Sequence, residues 1–182
     1  RGGIWKWVDM FRSFLDQRCI RHYEQFVVLT EEDSALWGIS DNIVVIPNAS
    51  GIHVDEAASL DAKNVLAIGR LTYQKGFDRL IAAWSMVHDK HPEWRLTIVG
   101  DGEEKKNLLH QIKLLGIEDC VVIKSATKDV QSLYMNAAFV AMSSRYEGLP
   151  MILIEAQCFG LPIVSFDCQC GPKDIVTDGK DG

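Results

Sequence analysis

Val65-Leu66-Ala67-Ile68-Gly69-Arg70-Leu71-Thr72-Tyr73-Gln74-Lys75-Gly76-Phe77 is the stretch on which the fold turns. Val65 to Ile68 is a short, wholly apolar run, as expected of a strand covered on both faces. From Gly76 to His88 the period changes, and Phe77, Leu80, Ile81, Trp84 and Val87 share one helical face. Leu96-Thr97-Ile98-Val99 then reads as a second buried strand. Strand, loop, amphipathic helix and strand make one unit of a parallel sheet.

The alternation continues downstream. Glu103 to Leu115 is a predicted helix with Leu108, Leu109, Ile112 and Leu115 on one face, stopped by Gly116. Val121–Ile123 is a strand, residues 130–136 a short helix, Phe139–Met142 a strand, Pro150–Phe159 a helix, and Ile163–Phe166 a strand. Right-handed crossovers between such strands give an α/β, doubly wound parallel sheet of Rossmann type. Ligands of such sheets sit at the carboxyl ends of the strands, so the loops after Ile68, Val99, Ile123 and Met142 are expected to line the site.

Upstream, Trp5 to Tyr23 carries Trp5, Val8, Phe11 or Met10, Phe14 or Leu15, and Ile20 at helical spacing. Residues 26–30 read as a strand, Thr30 as the cap of a helix with Glu31, Glu32 and Asp33 in its first turn, and Ile43–Ile46 as another strand. The small, polar run from Pro47 to Asn64 is the best linker. Two units are therefore expected, residues 1–47 and 48–182.

Composition bounds the function. The chain has 182 residues, 47% hydrophobic and 24% charged, a globular balance. No run approaches the roughly 18 apolar residues of a membrane span. The first residues lack an initiator Met and a signal-peptide core, and read as a cut edge. Net charge is −6, which argues against nucleic acid as a partner. Residues 1–25 nonetheless hold five basic and three acidic side chains. Their Ile4, Trp5, Lys6, Trp7 and Arg12 suit either packing against another lobe or contact with an anionic membrane surface. Five cysteines without a C-x-x-C pair, and histidines without ligand-like spacing, point to free thiols in a cytoplasmic protein and to no metal.

The chemistry concentrates in three loops. Gly69-Arg70-Leu71-Thr72-Tyr73-Gln74-Lys75-Gly76 matches neither the dinucleotide nor the P-loop glycine pattern. Its guanidinium and ammonium, before a helix N-terminus, suit a diphosphate; as plain surface charges they would only be solvated. Gly100-Asp101-Gly102 is half a dinucleotide fingerprint, and a tight turn with Asp101 or Glu103 capping the next helix accounts for it better. In Ser143-Ser144-Arg145-Tyr146-Glu147-Gly148-Leu149-Pro150-Met151-Ile152-Leu153-Ile154-Glu155, Pro150 suits the first position of a helix. Glu155 projects from an otherwise apolar helix and needs a partner, either the hydroxyls of a ligand or a salt bridge to Arg70 or Lys75.

Together, Gly69-Arg70-Leu71 with Lys75-Gly76, Ser144 to Pro150, and seven residues between Glu147 and Glu155 resemble the donor-binding lobe of GT-B glycosyltransferases. Within these the chain is most similar to the retaining family 4, which includes capsule, lipopolysaccharide and teichoic-acid sugar transferases. Gly160-Leu161-Pro162, Gly171-Pro172 and Ile46-Pro47-Asn48 fit the same pattern, which spans residues 43–182. The resemblance implies transfer of a hexosyl group, with retention, from a nucleoside diphosphate sugar to a glycan or lipid-linked acceptor. It implies no cofactor and no metal. Glu147, Arg70 and Lys75 take the catalytic roles, Glu147 at the transferred sugar and the two cations at the diphosphate. Glu155 holds the ribose, the amides of Gly148, Leu149, Met151 and Ile152 around Pro150 hold phosphate or sugar, and Gly69, Ile123 and Lys124 lie by the nucleotide. Residues 1–42 would end the acceptor lobe, so this piece binds donor without transferring it. The alternative is a non-catalytic nucleotide-binding module of the same fold.

Overall fold

The computed structural model describes residues 15, 16, 18–38 and 41–182, and the chain divides into two compact units after Asn48. The expected apolar helix from Trp5 lies largely outside the described residues, among which 15, 16 and 18–20 are helical.

In the first unit, β1 (Phe26–Val28) and β2 (Ile43–Val45) pair in parallel, Val27 opposite Val44, around α1 (Glu31–Trp37). Thr30 caps α1 by accepting from the Asp33 amide at 3.1 Å, which leaves it outside the strand. The three acidic residues of the first turn lie at the positive end of the helix dipole. Trp37 stacks edge-on against Phe26 at 5.2 Å and closes the unit.

The second unit is a five-stranded, all-parallel sheet. Its strands are β3 (Asn64–Ile68), β4 (Arg95–Val99), β5 (Val121–Lys124), β6 (Phe139–Met142) and β7 (Ile163–Ser165). The spatial order is β5-β4-β3-β6-β7, the doubly wound order with its reversal between β3 and β6. Helices α2 (Phe77–His88), α3 (Lys105–Leu115), α4 (Val130–Met135), α5 (Met151–Cys158) and α6 (Pro172–Ile175) connect or follow the strands.

Side chains of β3 alternate between two cores. Val65 and Ala67 join Phe77, Ile81, Trp84, Leu108 and Ile112 on one face. Leu66 joins Tyr134, Val140, Leu153, Phe159 and Ile163 on the other. Full burial of each large aliphatic side chain contributes about 1.5–3 kcal/mol, and Leu66, Ile81, Ile98 and Leu153 are fully enclosed.

The helix faces are narrower than expected. Val87 is 37% exposed because, at 100° per residue, it stands some 80° round α2 from Phe77. Leu109 and Leu115 are likewise exposed, leaving Leu108 and Ile112 as the seam of α3. Three helix starts also move. A 3-10 turn (Tyr73–Lys75) precedes α2, so Gly76 caps that helix instead of opening it. Glu104 is the N-cap of α3, replacing the expected Asp101 or Glu103. Pro150 is the N-cap of α5, with extended ψ of 92°, and Met151 is the first helical residue.

Candidate functional site

Because β3 and β6 are neighbours at the reversal of strand order, the loops leaving their carboxyl ends face each other. The β3 loop is anchored by Leu71, which is fully buried and exchanges backbone hydrogen bonds with Asp101 and Glu104. Gly76 must be glycine twice over. Its φ is +64°, and a Cβ there would run into the Ser143 carbonyl oxygen. That close approach lets the Ser143 hydroxyl donate to the Lys75 carbonyl at 3.0 Å.

The two loops are cross-linked along their length. The Arg145 amide donates to the Gln74 carbonyl at 2.8 Å, and the Gln74 amide side chain donates to the Tyr146 carbonyl at 3.0 Å. The Arg145 guanidinium grips both carboxylate oxygens of Asp78, at 2.9 and 2.6 Å, and donates to the Tyr73 carbonyl at 2.6 Å. It also lies 3.9 Å from the centre of the Tyr73 ring, a cation–π contact. These bonds hold the Asp78 carboxyl below its ordinary range, despite partial burial.

Held in this frame, Lys75 and Glu147 meet. Lys75 Nζ donates to Glu147 Oε1 at 2.6 Å, and the buried Ser144 hydroxyl donates to the same oxygen at 2.5 Å. The Glu147 side chain is only 7% exposed and Lys75 17%. Glu147 Oε2 takes no hydrogen bond among the described residues, nor do two of the three ammonium donors of Lys75 give one. The site therefore has a fixed ion pair with unused valences on both charges.

Arg70 stands apart. It is exposed, and its side chain makes no polar contact among the described residues. It borders a cavity of about 290 Å³ at the ends of β3 and β4, with Gly69, Gly100, Ala126, Thr127 and Leu133 among its walls. Gly100 lets β3 and β4 end close together, since a Cβ there would collide with the Gly69 carbonyl. Asp101 closes one side, accepting from the Ala126 amide at 2.9 Å and Lys105 Nζ at 3.3 Å. Chiefly the Ala126 bond lowers its pKa. Ile123 and Lys124, expected beside the nucleotide, do not border this cavity. They end β5, where the Lys124 carbonyl accepts from Gly100, and the chain reaches the cavity only two residues later.

Glu155 pairs with neither Arg70 nor Lys75. The Tyr134 hydroxyl donates to its Oε2 at 2.6 Å. Tyr134 is fully buried and stacked on Phe159 at 4.9 Å, and burial beside this carboxylate raises its pKa, so it remains a neutral donor. The sequence gives one hint of it, since a buried tyrosine hydroxyl needs an acceptor, but nothing that selects Glu155. Residues 148, 149, 151 and 152 surround the N-terminus of α5, which no side chain caps. A larger cavity, about 470 Å³ along β7 and α6, contains none of the candidate residues.

The chain belongs to the family described as glycosyl transferases group 1, whose model matches residues 50–182. This is the GT-B group that the loop motifs resemble. Among curated relatives, the amylovoran biosynthesis glycosyltransferase AmsD of Erwinia amylovora is 42% identical over 171 residues, 88% of this chain and 48% of the relative. An uncharacterized glycosyltransferase of Haemophilus influenzae is 39% identical over 134 residues, 71% of this chain and 38% of that protein. The chain thus spans half or less of their length. Among solved structures, an S. aureus TarM mutant in complex with fondaparinux, alpha-GlcNAc-glycerol and UDP superposes with a TM-score of 0.80 at 30% identity, over 87% of this chain and 33% of TarM.

Proposed function

We propose that this chain carries the nucleotide-sugar site of a glycosyltransferase that moves a hexosyl group, with retention, from a nucleoside diphosphate donor to a glycan or lipid-linked acceptor. The observation that carries the reading is the Lys75–Glu147 pair at the sheet's reversal point, with donors and acceptors to spare. Departure of a nucleoside diphosphate builds negative charge on phosphate oxygen. Cations fixed in place stabilise that charge most in the transition state. Arg70 and the two unused ammonium donors of Lys75 take that role, in place of a metal. The free oxygen of Glu147 accepts from hydroxyls of the transferred sugar. Glu155, oriented by Tyr134, accepts from the ribose, and the cavity beside Gly100 and Thr127 receives the base. The uncapped start of α5 offers amides to phosphate or sugar oxygens.

The names of the relatives support this reading: AmsD is a biosynthetic glycosyltransferase of the polysaccharide amylovoran, and TarM is seen with UDP. In this reading residues 1–47 end the acceptor-side lobe and 48–182 form the donor lobe. An acceptor must be held about 3–3.5 Å from the reacting carbon, and the groups that would hold it are not among the residues assigned here. No described helix is long and apolar enough to cross a membrane.

The test is calorimetric titration of the chain with a panel of nucleoside diphosphates and nucleotide sugars, in EDTA. Micromolar binding of one diphosphate, much stronger than of its nucleoside, supports the reading. Binding of none, or binding that requires added magnesium, overturns it.

A further inference from the structure

At the opposite end of the strands from the proposed nucleotide site, three side chains with metal-ligating atoms converge. They are His88, the last residue of α2, and Asp119 and Cys120 in the turn leading into β5. One ring nitrogen of His88, a carboxylate oxygen of Asp119 and the Cys120 sulfur all lie within 4.8 Å of one another. The parallel topology fixes their distance from the loops described above. Cys120 precedes β5, and α2, about 18 Å long at 1.5 Å per residue, runs from the site back to this end of the strands. In sequence His88 lies 31 and 32 positions before Asp119 and Cys120, which is why no ligand spacing is visible.

Two details single the cluster out. The Nδ1 atom of His88 is buried and has no hydrogen-bond partner. Trp84, one turn earlier on α2 and in the same core as Cys120, directs its indole N–H at the Cys120 sulfur. An orphaned buried nitrogen is a cost that folding does not ordinarily leave standing. The turn itself is held by hydrogen bonds. Cys120 donates its amide and its thiol to the Ile117 carbonyl, at 3.2 and 3.5 Å, and Arg95 holds the Asp119 carbonyl at 2.5 Å. Cys120 is a free thiol.

We infer that His88, Asp119 and Cys120 form a site for a zinc-like divalent cation, pinning the end of α2 to the start of β5. Imidazole, thiolate and carboxylate are the donor set of a borderline-soft tetrahedral ion, and three protein ligands leave one position for water. Tetrahedral bonds of about 2.0–2.3 Å place ligand atoms roughly 3.3–3.7 Å apart. Closing from 4.8 Å asks for about 1 Å of movement, which the exposed Asp119 carboxylate can supply by rotation. Binding converts the Cys120 thiol to thiolate and releases its proton to solvent.

The experiment titrates the whole chain with zinc against a chromophoric chelator, and separately with cobalt, read by its visible and thiolate charge-transfer absorption. Expected are one tight equivalent per chain and a tetrahedral, thiolate-containing cobalt spectrum. His88→Ala and Asp119→Asn should each weaken zinc binding by at least the about 10–100-fold seen for lesser, outer-shell changes. Cys120→Ser should abolish the charge-transfer band, and Cys158→Ser, an exposed thiol elsewhere, should change neither. Should Cys120→Ser fail to fold, the other two variants still decide. No tight equivalent, or one indifferent to His88 and Asp119, overturns the site. Nucleotide binding, measured on the same sample, is unaffected either way, so this inference and the donor-site reading fail separately.

Discussion

The Lys75 ammonium and the Glu147 carboxylate, 72 positions apart in sequence, are each other's counter-ion at 2.6 Å. Removing one partner of a buried pair costs about 3–5 kcal/mol, because it strands the other charge. Here Lys75 keeps some contact with water, so the lower end applies.

Lys75→Ala should therefore lower folding stability as well as diphosphate affinity. Adding Glu147→Gln to it should restore stability but not affinity. Urea denaturation and calorimetric titration of the two variants separate the effects. If the double variant remains as unstable as the single one, the pair is not what holds these loops together.

Arg70→Ala should do the opposite. The side chain is exposed and uncommitted, so stability should change by less than about 0.5 kcal/mol. Loss of charge-assisted hydrogen bonds should cost about 1.5–3 kcal/mol of diphosphate binding, roughly ten- to a hundredfold, with nucleoside binding unchanged. Equal diphosphate affinity in variant and parent would remove Arg70 from the site.

Tyr134→Phe should weaken binding of ribose-containing ligands by orders of magnitude fewer than Glu155→Gln, since it disorients the carboxylate without removing it. A second effect follows from burial. The folded state keeps the Tyr134 phenol protonated while the unfolded chain ionises near pH 10, so stability falls as pH rises above that value. Thermal melts of parent and Tyr134→Phe between about pH 8 and 11 should converge as the parent loses this contribution.

Acid acts through Asp78. Chiefly through the Arg145 hydrogen bonds, its folded pKa lies below that of the unfolded chain. The resulting stability is complete above the ordinary aspartate range, near 3.9, and drains away as pH falls through the folded value. Asp78→Asn should be less stable than the parent at neutral pH, and the gap should shrink in acid. A gap that stays constant from pH 6 to roughly pH 2.5 would show that this pair does not contribute.

Much of the sheet could be read in advance because its signals are local. The run Val65–Ile68, the period of α2 and the cap at Thr30 are set by neighbours within one or two turns. What escaped depends on distant packing. Gly76 caps α2 because Ser143 presses against it, Asp101 serves the β5 loop instead of a helix, and Tyr134 meets Glu155 across the core. Candidate residues were found by type, but their partners were set by a strand order that no short window contains. The same holds for His88 and Cys120, joined only by the turn of a helix and the edge of a sheet.

The cross-links between the β3 and β6 loops also limit how such lobes can be recombined. Tyr73, Gln74 and Asp78 are matched to Arg145 and Tyr146 by five hydrogen bonds and a stacked ring. Transplanting residues 70–78 from a relative alone would strand the Arg145 guanidinium against the wrong surface and let Lys75 drift from Glu147. Moved together with residues 143–148, the same graft keeps its internal fit. The two segments are one inheritable part written in two places, and chimaeras meant to exchange donor preference should carry both.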